Sequence, residues 1–262
     1  MLLESLDKKI RSAFSNAALE YELLTSLHKE IGRELMKKVI DAPALDSILD
    51  IGTGTGWLTR RAKFYLPESL IVGMDLSEGM LKQAKQKDES QLLLQANAAK
   101  LPFKEASFDL IVSNLSLQWV RSLEHCFGGV HHCLKRGGKF LFTMFGHRTF
   151  EELFQSLNVA RQELKGNSFD VERLKTLDQV NALLQQSDFK DIKLDYERIK
   201  VNFKDMASLV KWIKDIGANA LPREVFVGKR LLEKASQHYE KNFKDKFGIY
   251  ATFEVLWAQA GQ

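Results

Sequence analysis

The residues best placed to do chemistry lie in the stretch SILDIGTGTGWLTRRA, from Ser47 to Ala62. Gly52, Gly54 and Gly56 alternate with threonines between a short apolar run and a helical pattern. Because glycine has no side chain, such a loop lets a ligand approach the main chain, and the following helix presents free N–H groups to it. We therefore expect this loop to bind a small ligand.

The spacing of the glycines narrows the class of ligand. It is G-x-G-x-G, whereas nicotinamide and flavin enzymes have G-x-G-x-x-G. A loop that binds a nucleoside triphosphate would carry a lysine followed by Ser or Thr, and none is present here. Both of these nucleotide classes are disfavoured.

Two acidic residues accompany the glycines. Asp75 ends a second apolar run, roughly 20 residues further on, where an acid binds ribose hydroxyls in open parallel sheets. A carboxylate that accepts from two hydroxyls makes a bidentate, charge-assisted contact. Asp50 stands just before the glycines and would face a ligand that bears positive charge. The sequence predicts a site for a nucleoside ligand.

Such a site requires a parallel sheet with helices on both faces. Short apolar runs typical of buried strands alternate with helical patterns between residues 45 and 147. Two later strand-like segments, DIKLDYERIKVNF and IYATFEVLWAQA, fit antiparallel additions at one edge. We predict a single α/β domain with a doubly wound, mostly parallel, seven-stranded sheet.

The segments outside the core are predicted mainly as helices. A helix is expected from about Leu3 to Val39, with an amphipathic stripe in YELLTSLHKEIGRELMKKV. KRGG at 135–138 is expected to stop a helix before the strand KFLFTMFG. The predicted parts of the domain are N-terminal helices over 1–44, a ligand-binding core over 45–147, helices and an edge strand over 148–200, a helical lid over 201–247 and a closing strand over 248–262.

Composition excludes several classes of protein. The chain has 262 residues, of which 45% are hydrophobic and 27% charged, as in an ordinary globular domain. No window approaches the ~20 apolar residues that cross a bilayer, and the N-terminus is too charged for a secretory signal, so we expect a cytoplasmic protein without membrane contact. Cys126 and Cys133 lie near histidines but match no zinc spacing, so we expect partly buried helix residues and no metal.

Several of these motifs together resemble those of class I S-adenosylmethionine-dependent methyltransferases. They are LDIGTGTG, VGMDLSEGML, ANAAKLPF, SFDLIVSNLSLQW and LKRGGKFLFT, in that order, between residues 45 and 145. The resemblance implies a Rossmann-like methyltransferase fold and S-adenosylmethionine as the methyl donor.

The resemblance also implies roles for individual residues. The glycines would pass beside the methionine part of the donor and Asp75 would hold its ribose. Asn97 stands where the family usually has an Asp that contacts the adenine amino group, so its amide oxygen would make an uncharged contact. The implied donor-binding residues are Asp50, Gly52, Gly54, Gly56, Asp75, Leu76, Met80, Asn97, Ala98 and Asn114.

A finer resemblance extends over almost the whole chain. The segment AFSNAALEYELLTSLHKEIGREL is similar to the opening of the malonyl-[acyl-carrier protein] O-methyltransferases of biotin synthesis, which carry F-x-x-A-A-x-x-Y. SNLSLQW, FTMFGHRTFEELFQS, IKDIGANAL and ATFEVLWAQA are similar to later segments of that family. Glu22 replaces the usual Asp after the tyrosine, and Phe150 the usual leucine. The resemblance implies malonyl-acyl-carrier protein or malonyl-coenzyme A as the acceptor.

The implied reaction needs no general base, because a carboxylate with a pKa near 4 is already ionised at neutral pH. The protein must instead align the nucleophile, the methyl group and the sulfur. Candidates for positioning by hydrogen bonds are Tyr21 and Gln118. Candidates for a single cationic contact with the acceptor carboxylate are Arg148, Lys211 and Arg223.

Charge is concentrated in the predicted lid. Residues 198–246 contain twelve basic and six acidic residues, a net charge of +6 in a chain whose net charge is +4. This segment would attract an acidic carrier protein. Alternatively, the charges pair along helices at i, i+4 and only keep the surface soluble. Without a reader motif or a dense basic cluster, we expect no nucleic-acid partner.

Three alternatives remain open at this stage. The protein could methylate a small metabolite with the same donor site. SNLSLQWV and FGHRTFEEL also resemble respiratory complex I assembly proteins of the superfamily, which implies a factor that modifies or assembles a protein complex. The third alternative is a sensor of S-adenosylmethionine.

Overall fold

The computed structural model describes residues 2–40, 45–164, 174–218 and 228–262, with side chains from residue 6 onward. The helices within these ranges are α1 (Leu2–Ala17), α2 (Tyr21–Leu24), α3 (Ser26–Ile40), α4 (Trp57–Tyr65), α5 (Glu78–Lys87), α6 (Leu123–Cys133), α7 (Glu151–Glu163), α8 (Leu177–Gln186), α9 (Met206–Asp215) and α10 (Lys229–Asn242). The strands are β1 (Ser47–Ile51), β2 (Leu70–Asp75), β3 (Leu92–Gln95), β4 (Phe108–Asn114), β5 (Leu134–Phe145), β6 (Lys190–Phe203), β7 (Lys244–Asp245) and β8 (Gly248–Gly261).

One sheet organises the described chain. Its strand order is β3-β2-β1-β4-β5-β8-β6, and the two-residue strand β7 pairs with β8 outside this order. The strands β1 to β5 pair in parallel, whereas β8 is antiparallel to both β5 and β6. The predicted mostly parallel sheet with an antiparallel edge is therefore confirmed. It has eight strands rather than the predicted seven, because the short β7 also pairs with β8.

The central strands are buried on both faces because their side chains alternate between two helical layers. Ile48 packs with α3 and α4 on one face, while its neighbour Leu49 packs with α6 and α8 on the other. All five residues of β1 are buried. This burial fixes the register of β1 and thus the position of the glycine loop that follows it.

A third apolar cluster lies at the antiparallel end of the sheet. There α7, α9 and α10 pack against β8 and the end of β5. Tyr239 of α10 is fully buried and donates a hydrogen bond from its hydroxyl to the carbonyl of Tyr250 (3.0 Å). Along the described ranges, none of the helices is long and apolar enough to cross a membrane.

The structure corrects three local predictions. The N-terminal helix is broken at residues 18–20 and at Thr25, whose hydroxyl donates to the carbonyl of Tyr21 (2.6 Å). Helix α6 ends at Cys133, so Lys135–Gly138 lies in the irregular start of β5, where Gly137 has a φ of +77°. Cys126 and Cys133 are fully buried rather than partly buried. In each case tertiary packing overrides a local sequence preference.

Candidate functional site

A cavity of about 290 Å³ opens at the carboxyl ends of β1, β2 and β4. The order of the strands reverses at this point, because β2 and β3 lie on one side of β1 whereas β4 and β5 lie on its other side. Open α/β sheets bind ligands at this position. Helices α1, α2 and α3 supply the outer wall of the cavity, which is called the first cavity below.

The glycine loop forms the floor of the first cavity. Gly52, Gly54 and Gly56 have φ values of +72°, +57° and +73°, which side chains disfavour. A Cβ at Gly52 would lie 1.8 Å from Ser116 Oγ, whereas a Cβ at Gly54 would meet no atom within 4 Å. Close approach by a ligand is therefore available at Gly54. Gly56 lies outside the lining, and a Cβ there would approach Gln91 Oε1 to 2.3 Å.

Asp75 is held in place by main-chain N–H groups. Its Oδ2 accepts from Gly54 N (2.9 Å) and its Oδ1 accepts from Ser77 N (2.8 Å). Burial raises the pKa of this carboxyl group, although the hydrogen bonds from Ser77 and Gly54 oppose that effect. The carboxylate is thus oriented before any ligand binds, at the end of β2 where the sequence predicts a ribose contact.

Asp50 is a buried acid with an unpartnered oxygen. It is 1% exposed, and within the described structure its Oδ2 has no hydrogen-bond partner. Burial raises the pKa of Asp50 to about 7, with an added contribution from the nearby Asp75 and opposition from a Thr53 hydrogen bond. Such a group costs folding free energy, which is typical of a residue retained for a ligand.

The far end of the first cavity is lined by Leu76, Met80, Asn97 and Ala98. The Oδ1 of Asn97, which the sequence predicts to face adenine, accepts a hydrogen bond from Ala99 N (2.9 Å). Nine of the ten predicted donor-binding residues thus line one cavity, the exception being Gly56.

Asn114 also lines the first cavity, but its side chain is already hydrogen-bonded to other residues of the protein. Its Nδ2 donates to the carbonyl of His28 (3.0 Å), and its Oδ1 accepts from Thr143 Oγ1 (2.9 Å). Asn114 therefore fixes the start of α3 beside the end of β4.

A second cavity of about 330 Å³ adjoins the first. Phe14, Tyr21, His28 and Trp119 line both cavities and form the wall between them. The rest of the described lining is mainly aromatic and aliphatic and contains no Lys, Arg, Asp or Glu. A ligand in the second cavity would therefore be removed from water and from opposite charge.

The polar groups of the shared wall are neutral at pH 7. Burial lowers the pKa of His28 to about 4, and its Nδ1 has no partner in the described structure. Burial, reinforced by the charge of Asp75, raises the pKa of the Tyr21 hydroxyl. Both side chains can therefore position a ligand by hydrogen bonds but cannot supply a full charge.

Only some of the predicted acceptor-binding residues line a cavity in the structure. Tyr21 and Gln118 line the second cavity, where Gln118 Nε2 donates to the carbonyl of Leu115 (2.7 Å). Arg148 and Lys211 line neither cavity; Arg148 pairs with Glu151 (3.3 Å), and Lys211 pairs with Asp215. Arg223 lies outside the described residues.

Sequence analysis missed several residues that line the cavities. His28 follows Tyr21 by seven residues, a spacing that indicates one helix face and could have drawn attention to it. Nothing in the sequence singles out Asp7 of α1 for the first cavity or His147 for the second. His147 Nδ1 lies 3.2 Å from Oε2 of the buried Glu254.

Comparisons with known proteins agree with this geometry. A family described as a methyltransferase domain matches residues 49–142. The malonyl-[acyl-carrier protein] O-methyltransferase of Geobacter sulfurreducens is 30% identical over 95% of this chain and 97% of its own length. The enzyme of the same name from Brevibacillus brevis is 31% identical over 97% of this chain and 95% of its own length. The human mitochondrial arginine hydroxylase NDUFAF5 is 29% identical over 88% of this chain and 68% of its own length.

Solved structures show the same fold. The YcgJ protein of Bacillus subtilis has a TM-score of 0.62 at 20% identity and covers 88% of this chain and 97% of that one. Phosphoethanolamine N-methyltransferase 2 of Haemonchus contortus, solved with S-adenosyl-L-methionine, has a TM-score of 0.58 at 22% identity over 93% of this chain and 56% of that one. The chain belongs to the S-adenosylmethionine-dependent methyltransferases, in the family of the malonyl-[acyl-carrier protein] O-methyltransferases, and is an O-methyltransferase with S-adenosylmethionine as its methyl donor.

Proposed function

We propose that this enzyme methylates the free carboxylate of a malonyl thioester, carried by acyl-carrier protein or coenzyme A, at an early step of biotin synthesis. The observation that carries the proposal is the extent of similarity to the enzymes of that name. It covers 95% or more of this chain, so it includes the segments around the second cavity as well as the methyltransferase domain at 49–142.

The first cavity supplies the residues for the donor. Asp75 accepts from the ribose hydroxyls, Gly52 and Gly54 lie beside the methionine part, and Asp50 faces its positive charge. Leu76, Met80, Asn97, Ala98 and Asn114 complete the binding residues, while Gly56 shapes the loop. The open space at Gly54 and the unpartnered Oδ2 of Asp50 fit a cationic nucleoside. When bound, the donor supplies a methyl group already activated by its sulfonium charge.

The second cavity receives the acceptor. Its carboxylate is ionised at neutral pH, so we assign no general base. Tyr21 positions it by donating from its hydroxyl, and Gln118 by donating the Nε2 hydrogen that is not bonded to Leu115. The apolar lining removes the water that would otherwise solvate the nucleophile. Alignment of nucleophile, methyl group and sulfur supplies roughly 7–11 kcal/mol of the rate enhancement.

The basic residues are assigned to the encounter with the carrier protein, which precedes methyl transfer. We assign Arg148 and Lys211, which are 45% and 75% exposed, to attraction of the acidic carrier at the surface. Arg223 belongs to the same basic stretch of sequence and is assigned the same role.

Rescue of a biotin-requiring bacterial strain that lacks its malonyl-acyl-carrier protein methyltransferase tests this function. The wild-type gene restores growth without biotin, whereas the Asp75→Ala variant, produced at the same level, does not. If the wild-type protein is folded and binds S-adenosylmethionine but gives no rescue, the proposed acceptor is wrong.

The human relative favours a second candidate, which is modification of a protein side chain, since its name describes an arginine hydroxylase. The described lining of the second cavity holds neither carboxylates nor Lys or Arg, so its charge favours neither acceptor. The second candidate has less support because the match covers 68% of the human relative's length, against 95% or more of the two bacterial enzymes.

A further inference from the structure

The N-terminal helix α1 is packed directly against the first cavity. Ser15 Oγ lies 2.8 Å from Ser77 Oγ, just after the end of β2. A Cβ at Gly79 would come within 2.8 Å of Ser15 Cα, so the absence of a side chain at Gly79 allows this close approach. Helix α1 therefore contributes to the donor site as a fixed wall.

One acidic side chain of this wall reaches the far end of the first cavity. Asp7 Oδ2 accepts a hydrogen bond from Asn97 Nδ2 (3.1 Å), and both residues line the cavity. Because Asn97 Oδ1 already accepts from Ala99 N, the amide can face Asp7 only with its nitrogen. The carboxylate at this end of the cavity is thus supplied by α1 and not by position 97.

The position of Asp75 fixes the orientation of the donor in the first cavity. Asp75 lies at the end of β2 and binds the ribose under the proposed assignment, so the base extends toward Met80, Ala98 and Asn97. Adenine presents an exocyclic amino group, which is a donor, and a carboxylate oxygen is a strong acceptor for it.

We propose that Asp7 accepts a hydrogen bond from the exocyclic amino group of the donor's adenine and thereby selects adenine over a base with a carbonyl at that position. Asn97 orients Asp7 and is a positioning residue. The inference rests on the proposed assignment of Asp75 and the glycine loop to the donor, but not on the identity of the acceptor.

Calorimetric binding of two stable probes tests the inference. S-adenosylhomocysteine carries the amino group, and S-inosylhomocysteine carries a carbonyl in its place. The wild-type protein binds the first at least 10-fold more tightly than the second. Asp7→Asn weakens S-adenosylhomocysteine binding by roughly 10- to 100-fold, the range for loss of a hydrogen bond to a charged group, and changes S-inosylhomocysteine binding by less than about 3-fold.

Two further variants separate recognition from packing. Lys8→Gln, an exposed change on the same helix, leaves both affinities unchanged. The exchange Asp7→Asn with Asn97→Asp reverses the hydrogen bond, returns a carboxylate to the site and restores the preference for the amino group.

Each other outcome has a definite meaning. If Asp7→Asn weakens both probes equally, Asp7 only holds α1 in place and the inference is overturned. If Asp7→Asn leaves both affinities unchanged while Asp75→Ala abolishes both, the inference again fails and the donor site stands. If Asp75→Ala has no effect, the proposed donor assignment itself is wrong.

Discussion

At the scale of single residues, the first cavity contains two neighbouring acids, of which Asp50 has an oxygen without a hydrogen-bond partner in the described structure. Burial makes ionisation of Asp50 costly, and the charge of the nearby Asp75 adds to that cost. Neither has a cationic side chain as a direct partner among the described hydrogen bonds and ion pairs. The free protein is thus under electrostatic strain that a cationic donor relieves.

Replacing Asp50 should therefore have opposite effects on stability and on binding. Asp50→Asn removes a buried charge, so the ligand-free protein gains about 1–3 kcal/mol in its free energy of unfolding at pH 8. Because the folded pKa of about 7 exceeds the unfolded value, the folded wild type holds the proton more tightly, and its stability falls as pH rises from about 4 to about 7. Urea titrations at pH 5 and pH 8 measure both effects.

The same variant should bind S-adenosylmethionine at least 10-fold more weakly by calorimetry. A variant that is less stable than wild type at pH 8, or that binds the donor equally well, would contradict the assignment of Asp50.

Donor binding should also release a proton near neutral pH. The positive charge of S-adenosylmethionine favours the ionised form of Asp50, so about half a proton leaves that carboxyl group on binding at pH 7. Calorimetry in buffers with different ionisation enthalpies measures the release. The Asp50→Asn variant, in which this carboxyl group is missing, is the control, and equal proton release in both proteins would contradict the mechanism.

At the scale of elements, Glu22 of α2 ties the N-terminal helices to the glycine loop. Its carboxylate accepts from Thr55 Oγ1 (2.5 Å), Lys87 Nζ (2.6 Å) and Arg60 (3.1 Å). Burial acts to raise the pKa of Glu22, but the hydrogen bonds from Lys87, Thr55 and Arg60 outweigh it and lower the pKa to about 2. The short helix α2 is thereby fixed beside the loop that the donor approaches.

Glu22→Gln should destabilise the protein by about 1–3 kcal/mol at pH 7, because it leaves Lys87 and Arg60 without their acceptor charge. The contribution of Glu22 is fully present above its unfolded pKa and is lost as pH falls through about 2, so it declines from about pH 4.5 downward. Urea unfolding at pH 7 and pH 3 measures this decline.

Lys82→Gln removes an exposed ion pair with Glu78 on α5 and serves as the matched control, with a change below about 0.5 kcal/mol. If Glu22→Gln also changes the free energy of unfolding by less than about 0.5 kcal/mol, the contacts of Glu22 with Thr55, Lys87 and Arg60 do not stabilise the protein.

The strands could be predicted from the sequence, but the breaks between the N-terminal helices could not. Strands such as β1 and β4 are short, mainly apolar runs, so their places along the chain followed from the pattern alone. The break between α1, α2 and α3 did not, because no Gly or Pro marks it in the sequence. It brings the Tyr21 ring into contact with Phe14 and His28.

The first cavity could likewise be predicted in part from the sequence, whereas the second could not. The glycine loop and Asp75 are close in sequence and adjacent in the sheet, so their meeting could be predicted. The second cavity could not, because its lining comes from α1, the short turn at 117–119, α7 and α9, which are far apart in the chain.

At the scale of the whole molecule, two cavities meet at one aromatic wall. The first belongs to the parallel part of the sheet, and the second lies beside the antiparallel end and its helices. Separate parts of the fold thus serve donor and acceptor, and methyl transfer takes place where they adjoin under the proposed function.

The basic surface should make the choice of carrier depend on salt. The ion pairs Lys211–Asp215 and Lys229–Glu233 neutralise part of the charge along α9 and α10, as the solubility interpretation expects. The net charge of +6 over residues 198–246 still attracts an acidic protein. Raising the salt concentration from about 50 to about 300 mM should lower kcat/KM roughly 10-fold for malonyl-acyl-carrier protein and less than about 3-fold for malonyl-coenzyme A.

Reversal of an exposed charge provides the control for that effect. Lys229→Glu, on α10, should lower kcat/KM for the carrier protein only, whereas Lys82→Glu, on α5 beside the opposite edge of the sheet, should change neither substrate. Identical salt dependence for the two substrates would contradict a docking role for the basic segment.

The most direct test of the account is methyl transfer from labelled S-adenosylmethionine to malonyl- and acetyl-acyl-carrier protein, followed by mass measurement of the acyl group. The account predicts one methyl group on the malonyl form, as an ester that alkali removes, and none on the acetyl form, which has no free carboxylate. Label on the acetyl form, or an alkali-stable methyl group on the protein itself, would contradict it.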